Sequence, residues 1–296
     1  MRQFTAVVNP AAGSSSGAAD LLALARLLRE AGAGLETRYS RSLEHARELA
    51  REAGGRGRVV LAVGGDGIAG GVGGALSGTG AVLGLVPAGR GNDFARALGR
   101  TGKALDVPAL AKTLLHSTPR VVDTIEVTSA VHPGVSVLGS VYAGVDAVAN
   151  RHANTSRLLS GAASYYVGGA RAVAGWRPAA YRITVDGTEH RERGYTVVAA
   201  NSGYYGFGRH IAPGALLDDG LLDVVVIRHG PRRLFFSLMN ELKTGAHLSR
   251  PQVRVLRGKE IRIEADRPVP YGADGEVDAV LPVTVRVQPG ALKVLA

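Results

Sequence analysis

At 296 residues, 46% of them hydrophobic, the chain is long enough for one large or two medium domains with a sizeable core. It has no cysteine, which excludes disulfides and thiolate-bound zinc, and its eight histidines form no i, i+4 pair beside an acid, which argues against a histidine metal site. The net charge of +10 suits an anionic membrane face or anionic substrates, but no dense basic run is interleaved with aromatics, so nucleic acid is not an expected partner.

In chain order, residues 4–9 read as a first strand and residues 9–17 as a turn-rich Asn-Pro-Gly/Ser loop. Leu21, Leu24, Leu27 and Leu28 then recur at helical spacing. Residues 35–40 form a second strand, and Ser42 is placed to cap a helix whose apolar face carries Leu43, Ala46, Leu49 and Ala50. The apolar runs 59–63 and 82–86 read as buried parallel strands, each followed by a glycine loop and a helix start. This alternation predicts a parallel α/β sheet whose ligands bind beyond the carboxyl ends of the strands. After about residue 118 the rhythm changes. Residues 121–128, 135–143, 181–185, 195–200, 222–228, 253–256, 261–265 and 283–287 read as strands, many joined by turns such as Asp186-Gly187. Helical stretches at 158–173 and 231–244 interrupt them. The expectation is an α/β domain over residues 1–120 and a mainly antiparallel β domain over residues 121–296, with the last strand able to return to the first domain.

Two loops carry the chemistry. The first contains Gly64-Gly65-Asp66-Gly67 and the second Gly89-Arg90-Gly91-Asn92-Asp93-Phe94-Ala95-Arg96. Glycine lets the backbone approach an anion, and the free N–H groups and dipole of a helix start attract it. Asp66 and Asp93 would repel a bare phosphate, so their presence points to a divalent metal between acid and phosphate. A nucleoside-triphosphate site with magnesium follows. The spacing Gly65-x-Gly67-x-x-Gly70 also matches a dinucleotide fingerprint. That motif requires an acid roughly twenty residues on, where this chain has Pro87-Ala88-Gly89. No Gly-Lys-Ser/Thr phosphate loop occurs. The plain alternative is a pair of tight turns in a glycine-rich protein.

Asn9-Pro10, Gly64-Gly65-Asp66-Gly67, Pro87-x-Gly89-x-Gly91-Asn92-Asp93-Phe94-Ala95-Arg96 and Asp274-Gly275-Glu276 occur in that order. The ordered set resembles the bacterial lipid kinases of the diacylglycerol kinase and sphingosine kinase superfamily. The resemblance implies an N-terminal domain like those of NAD kinases and phosphofructokinases, a C-terminal β-sandwich, and ATP in the cleft. It implies nucleotide contacts from Asn9, Ser40, Gly64, Gly65, Asp66, Gly67, Gly89, Arg90, Gly91, Asn92 and Asp93. Asp66 and Asp93 would organise magnesium and water near the phosphates. Glu276 would be the base on the acceptor hydroxyl, with Asp66 as the rival base. The stretch 216–223 resembles the family's structural magnesium loop, with the Asp219 side chain and the Leu216 and Leu221 carbonyls as ligands. Its plain alternative is an Asp-Gly turn. Two positions depart from the family pattern: Ile68 and Arg90 stand where threonine is usual.

The leading reading is therefore magnesium- and ATP-dependent phosphorylation of a lipid hydroxyl, most simply that of diacylglycerol. An NAD kinase-like enzyme and a non-catalytic nucleotide- or lipid-binding relative are the alternatives. The chain opens on a strand without a signal-peptide pattern, and no apolar stretch is long enough to cross a bilayer. A cytoplasmic protein acting at the inner membrane face is expected. Residues 231–239, basic then apolar, are a candidate docking helix, and residues 158–173, with Tyr165 and Tyr166, a candidate acyl-pocket lining. The oligomeric state is left open, a homodimer included.

Overall fold

The computed structural model describes residues 2–10, 15–89, 91–100, 105–155, 169, 172–206, 208–231, 233–274 and 276–296. The chain divides into two compact units. The first holds residues 1–124, 136–138 and 288–296; the second holds residues 125–135 and 139–287.

The first unit alternates strand and helix: β1 Gln3–Val8, α1 Ser15–Glu30, β2 Gly34–Tyr39, α2 Leu43–Gly55, β3 Val59–Gly64, α3 Asp66–Leu76 and β4 Val82–Pro87. Two further helices follow, α4 Asp93–Ala97 and α5 Val107–His116. The sheet is parallel, with neighbours in the order β4, β3, β1, β2. The register aligns Val8 with Tyr39 and Val63, and Gly64 with Pro87, so the carboxyl ends of four strands form one row. Phe4, Ala6, Leu61 and Val63 pack on Leu24 and Leu28 of α1 and Leu110 and Leu114 of α5 in a fully buried layer. Ser42 caps α2 as expected, its hydroxyl accepting the His45 N–H at 3.1 Å, and Ala46, Leu49 and Ala50 turn inward. Asp106 caps α5 by accepting the Ala109 N–H at 2.9 Å.

β5 Arg120–Thr128 leads out of the first unit. The second unit is antiparallel. It contains β7 Ser140–Gly144, β8 Ala179–Val185, β9 Thr188–Ala200, β12 Leu222–Arg228, β13 Val253–Gly258, β14 Glu260–Ala265, β15 Pro270–Ala273 and β16 Glu276–Val280. The small hairpin β10 Tyr204–Tyr205 and β11 Arg209–His210, and the helices α6 Val145–Thr155 and α7 Leu234–Glu241, complete it. Asp186-Gly187 forms the expected β8–β9 turn. β17 Val283–Leu295 pairs with β14 at its start and, as it re-enters the first unit, runs parallel to β4.

Some expectations need correcting. The expected strand over 135–143 is broken at Leu138-Gly139 into β6 Pro133–Val137 and β7. The break arises where the Gly139 and Ser140 N–H groups turn to the Asp274 carboxylate. Tyr271 to Ala273 end one short strand, β15, and Glu276 starts the next, β16, neither of which the periodicity had marked. α6 had no counterpart in the periodicity. The expected helix over 231–244 is regular only across α7, and most of the expected helix over 158–173 lies outside the described residues.

One buried base makes the second unit sensitive to acid. His247 is fully buried, its Nε2 donates to the Ile211 carbonyl at 2.9 Å, and its Nδ1 has no hydrogen-bond partner among the described residues. Burial pushes its pKa below the usual histidine value, against the opposing pull of the Ile211 carbonyl and the Glu241 charge. The folded state thus favours the neutral ring. That stability is present above about pH 6.5 and is lost as pH falls below the unfolded-chain value. Thermal melting is expected to drop between pH 7 and pH 5, and to drop less in His247→Gln. Equal pH dependence in the two proteins would contradict this assignment.

Candidate functional site

β3 ends at Gly64, and Gly65 sits at the N-cap of α3 with no side-chain cap hydrogen bond. The first N–H groups of α3 are therefore left for another acceptor. The second loop lies directly against the first. The Ala88 N–H donates to the Gly64 carbonyl at 2.9 Å. A Cβ on Gly89 would stand 2.2 Å from Gly65 Cα, so only glycine permits this backbone contact. Asn92 adopts the left-handed conformation, with φ 53° and ψ 42°. Its amide Nδ2 donates to the Gly89 carbonyl at 2.9 Å, and its Oδ1 accepts the Gly89 N–H at 3.0 Å. Asn92 thereby closes the loop around Arg90, which itself lies outside the described residues. Arg96 Nε donates to the Gly91 carbonyl at 3.0 Å, while Phe94 and Ala95 are buried beneath.

This loop brings the two acids together. Asp66 Oδ1 accepts the Phe94 N–H at 3.2 Å. A Cβ on Gly91 would stand 2.6 Å from Asp66 Oδ2 and 3.5 Å from Asp93 Oδ2, so both carboxylates face the small space that the missing side chain leaves. Burial pushes the Asp66 carboxyl above the usual carboxylate range, although backbone N–H groups of Phe94, Asp93 and Asn92 pull it down. A recess lined by Gly64, Gly65, Asp66, Pro87 and Asn92 opens beside them. Ile68 is buried in α3 and adds to the core rather than to the loop. Asn9 and Ser40 follow β1 and β2 on the same row of strand ends. The Asn9 N–H approaches the Val63 carbonyl at 3.5 Å, and the buried Ser40 donates its N–H and hydroxyl to the Val8 carbonyl at 2.8 and 3.2 Å. Gly67 lies in the first turn of α3.

The remaining expected residues fall in the second unit. Glu276 opens β16 opposite Ala273, and its side chain lies outside the described residues. Asp274, with φ 46°, anchors the turn before it: Oδ1 accepts the N–H groups of Gly139 at 2.8 Å and Ser140 at 3.1 Å.

Residues 3–127 match the family described as the diacylglycerol kinase catalytic domain, and residues 139–296 match the YegS C-terminal NAD kinase beta sandwich-like domain. The chain belongs to the diacylglycerol kinase and YegS-like lipid kinase family. It is 29% identical to a diacylglycerol kinase of Mycobacterium tuberculosis over 99% of this chain and 94% of that one. It is 32% identical to a Pseudomonas fluorescens protein named probable lipid kinase YegS-like, over 90% of this chain and 87% of that one. In fold it is similar to the crystal structure of a diacylglycerol kinase from Bacillus anthracis, with TM-score 0.74, 19% identity and coverage of 99% and 96% of the two chains. The enzyme is a lipid kinase with an α/β N-terminal domain and an antiparallel β-sandwich.

In this lipid kinase the loop resembling the family's structural magnesium site is held by an internal cation. Asp219 Oδ1 accepts the Leu221 N–H at 3.1 Å, and Oδ2 pairs with Arg257. Arg257 Nε also reaches Asp223 Oδ1 at 3.3 Å. Both Asp219 oxygens thus meet donors, while the neighbouring buried Asp223 Oδ2 has no hydrogen-bond partner among the described residues. Among the described residues no group of three or more His, Asp or Glu side chains gathers into a metal cluster. Chelation of divalent ions is expected to leave thermal melting unchanged. Arg257→Ala is expected to lower it by a few °C, since each ~1 kcal/mol corresponds to about 2–4 °C in a large domain. A fall in melting on chelation that persists in Asp66→Asn would point to a metal at the Asp219 loop.

Asp274 appeared in the sequence only as a member of a motif, and Asn92 only as a nucleotide contact implied by the resemblance. Their anchoring roles depend on left-handed backbone, for which the Asp274-Gly275 dipeptide and Asn92 directly after Gly91 were the available signals.

Proposed function

We propose that this enzyme transfers the terminal phosphate of ATP, with magnesium, to the hydroxyl of diacylglycerol or a closely related lipid. The observation that supports the reading is the facing of Asp66 and Asp93 across the space beside Gly91, at the N-terminus of α3. Two hard oxygen donors beside open backbone N–H groups fit a magnesium ion that also binds phosphate. When bound, the ion would neutralise phosphate charge and align the transfer. Diacylglycerol as acceptor is supported by the names of the relatives.

The chain's own residues then divide the work. The N–H groups at the start of α3 hold donor phosphate, and Gly89 and Gly91 let the second loop approach it. Asn92 fixes that loop through its two bonds to Gly89. Asn9 and Ser40 hold the nucleoside at the strand ends, and Arg90 replaces the usual threonine as a phosphate ligand. Glu276 takes the acceptor hydroxyl proton, in a turn fixed by Asp274. The test is incubation with labelled ATP, magnesium, and diacylglycerol or NAD in mixed micelles. Label in phosphatidic acid is expected. Label in NADP would replace this reading with the NAD kinase-like one.

A further inference from the structure

β15 and β16 form a short hairpin, four and five residues long, with β16 at the margin of the sheet. The hairpin is irregular. Tyr271 pairs with Ala279 and Gly272 with Val277, so Asp278 is an extra residue on β16. A bulge of this kind bends its strand and interrupts the ladder. Glu276, the proposed base, opens β16 opposite Ala273. On the other side β15 pairs with β7 over three residues, Tyr271 to Ala273. A ladder that short sets the register of β15 but leaves its twist soft. A side chain carried on such a hairpin keeps its place when other groups tie the hairpin down.

Two side-chain ties are present, one towards each end of β15. At the turn, Asp274 Oδ1 accepts the Gly139 and Ser140 N–H groups. Beside the bulge, Tyr271 is 1% exposed, and its hydroxyl lies 2.7 Å from Ser129 Oγ and 2.7 Å from His132 Nδ1. The His132 ring meets the Tyr271 ring edge-on, with centroids 5.9 Å apart. Ser129 and His132 belong to the turn between β5 and β6, and that turn is closed on itself. The Ser129 N–H donates to the His132 carbonyl at 2.8 Å, and Ser129 Oγ accepts the N–H groups of His132 at 3.1 Å and Val131 at 3.3 Å. The turn is thus a preformed socket for one hydroxyl. A buried tyrosine needs a partner for its hydroxyl, so a single such bond would be ordinary packing. Phenylalanine would fill the same space. Here two partners on a turn distant in sequence converge on the residue next to the bulge.

We propose that Tyr271 is a positioning residue for phosphate transfer: its hydroxyl, seated between Ser129 and His132, fixes the β15–β16 hairpin and, through it, the Glu276 carboxylate at the acceptor hydroxyl. The proposal rests on Glu276 being the base. Tyr271 itself touches no substrate. Asp274 holds the turn but leaves the hairpin free to rock about it, and the second tie, at the bulge, removes that motion. The requirement is strict, because misplacing a catalytic group by about 1 Å costs on the order of a hundredfold in rate.

The test is Tyr271→Phe, which removes one oxygen. In diacylglycerol phosphorylation its kcat is expected to fall by about tenfold or more, with KM for ATP unchanged. Hydrogen exchange over residues 270–280 should quicken, while exchange in the first unit stays as in the wild type. Ser129→Thr, which keeps the hydroxyl, should retain the wild-type kcat, and Ser129→Ala should lose activity as Tyr271→Phe does. Because Tyr271 acts through Glu276, Tyr271→Phe should cost no further activity in a Glu276→Gln background. A merely structural loss would lower both backgrounds by the same factor. Wild-type kcat in Tyr271→Phe, or an equal fall in both backgrounds, would overturn the proposal. Unchanged exchange over residues 270–280 in Tyr271→Phe, with Glu276→Gln impaired, would overturn the tie and leave the base assignment standing. Wild-type kcat in Glu276→Gln would overturn the base assignment, and the positioning role with it.

Discussion

Asp66→Asn is expected to reduce phosphate transfer by about a thousandfold, roughly 4 kcal/mol of transition-state stabilisation, while the protein folds as well as the wild type or better. The substitution removes the charge that faces Asp93 across Gly91 but keeps an oxygen for the Phe94 N–H. The stability half of the expectation follows from titration. Burial raises the Asp66 pKa in the folded protein. A group shifted upward stabilises the fold fully below its unfolded-chain value, about 3.9, and loses that contribution as pH rises through the folded value. At pH 7 in chelator, the neutral Asn avoids this loss. The variant's melting temperature should equal or exceed that of the wild type at pH 7, with the difference gone near pH 4. Wild-type turnover in the folded variant would remove Asp66 from the chemistry.

Gly89→Ala is the second large effect. The added methyl would meet backbone, Gly65 Cα at 2.2 Å and Gly65 N at 2.9 Å, and backbone cannot rotate away as a side chain would. Either the two loops separate or the strands that carry them shift. Separation would also move Asn92, whose side-chain Oδ1 lies 3.0 Å from the same methyl position. Overpacking of this kind costs about 1–3 kcal/mol, so a drop of several °C in melting is expected, together with loss of most ATP affinity. Gly55→Ala is the matched control: nothing lies within 4 Å of its added methyl, and it closes α2. That variant should melt and bind as the wild type does. Equal behaviour of the two alanine variants would mean that the loops are not held in contact.

The first unit was legible because its signals are local. The Ser42 cap lies three residues from the N–H it accepts, and the inward face of α2 repeats at helical spacing. The two glycine loops announced themselves by following buried strands, and the parallel register then places them side by side. The features that were not legible depend on distant partners. Arg257 reaches Asp219 only because β12 and β13 pair, so the local sequence showed an Asp-Gly turn and not the cation that meets it. The pairing of Glu192 with Arg228 needs the register shift before Arg228, which no alternation of polar and apolar residues reveals. β15 and β16 are short, and the bonds from Gly139 and Ser140 to Asp274 that define their turn span more than a hundred residues. α6 follows β7 directly, without a turn-rich run to announce it.

The central claim is that the paired loops of the first unit hold ATP through magnesium between phosphate and the two acids. Calorimetric titration of the wild type with a non-hydrolysable ATP analogue, with magnesium and with chelator, tests it most directly. Magnesium should tighten binding by at least about tenfold, and Asp66→Asn should abolish that difference. Equal affinity with and without magnesium, or a magnesium effect that survives in Asp66→Asn, would contradict the account.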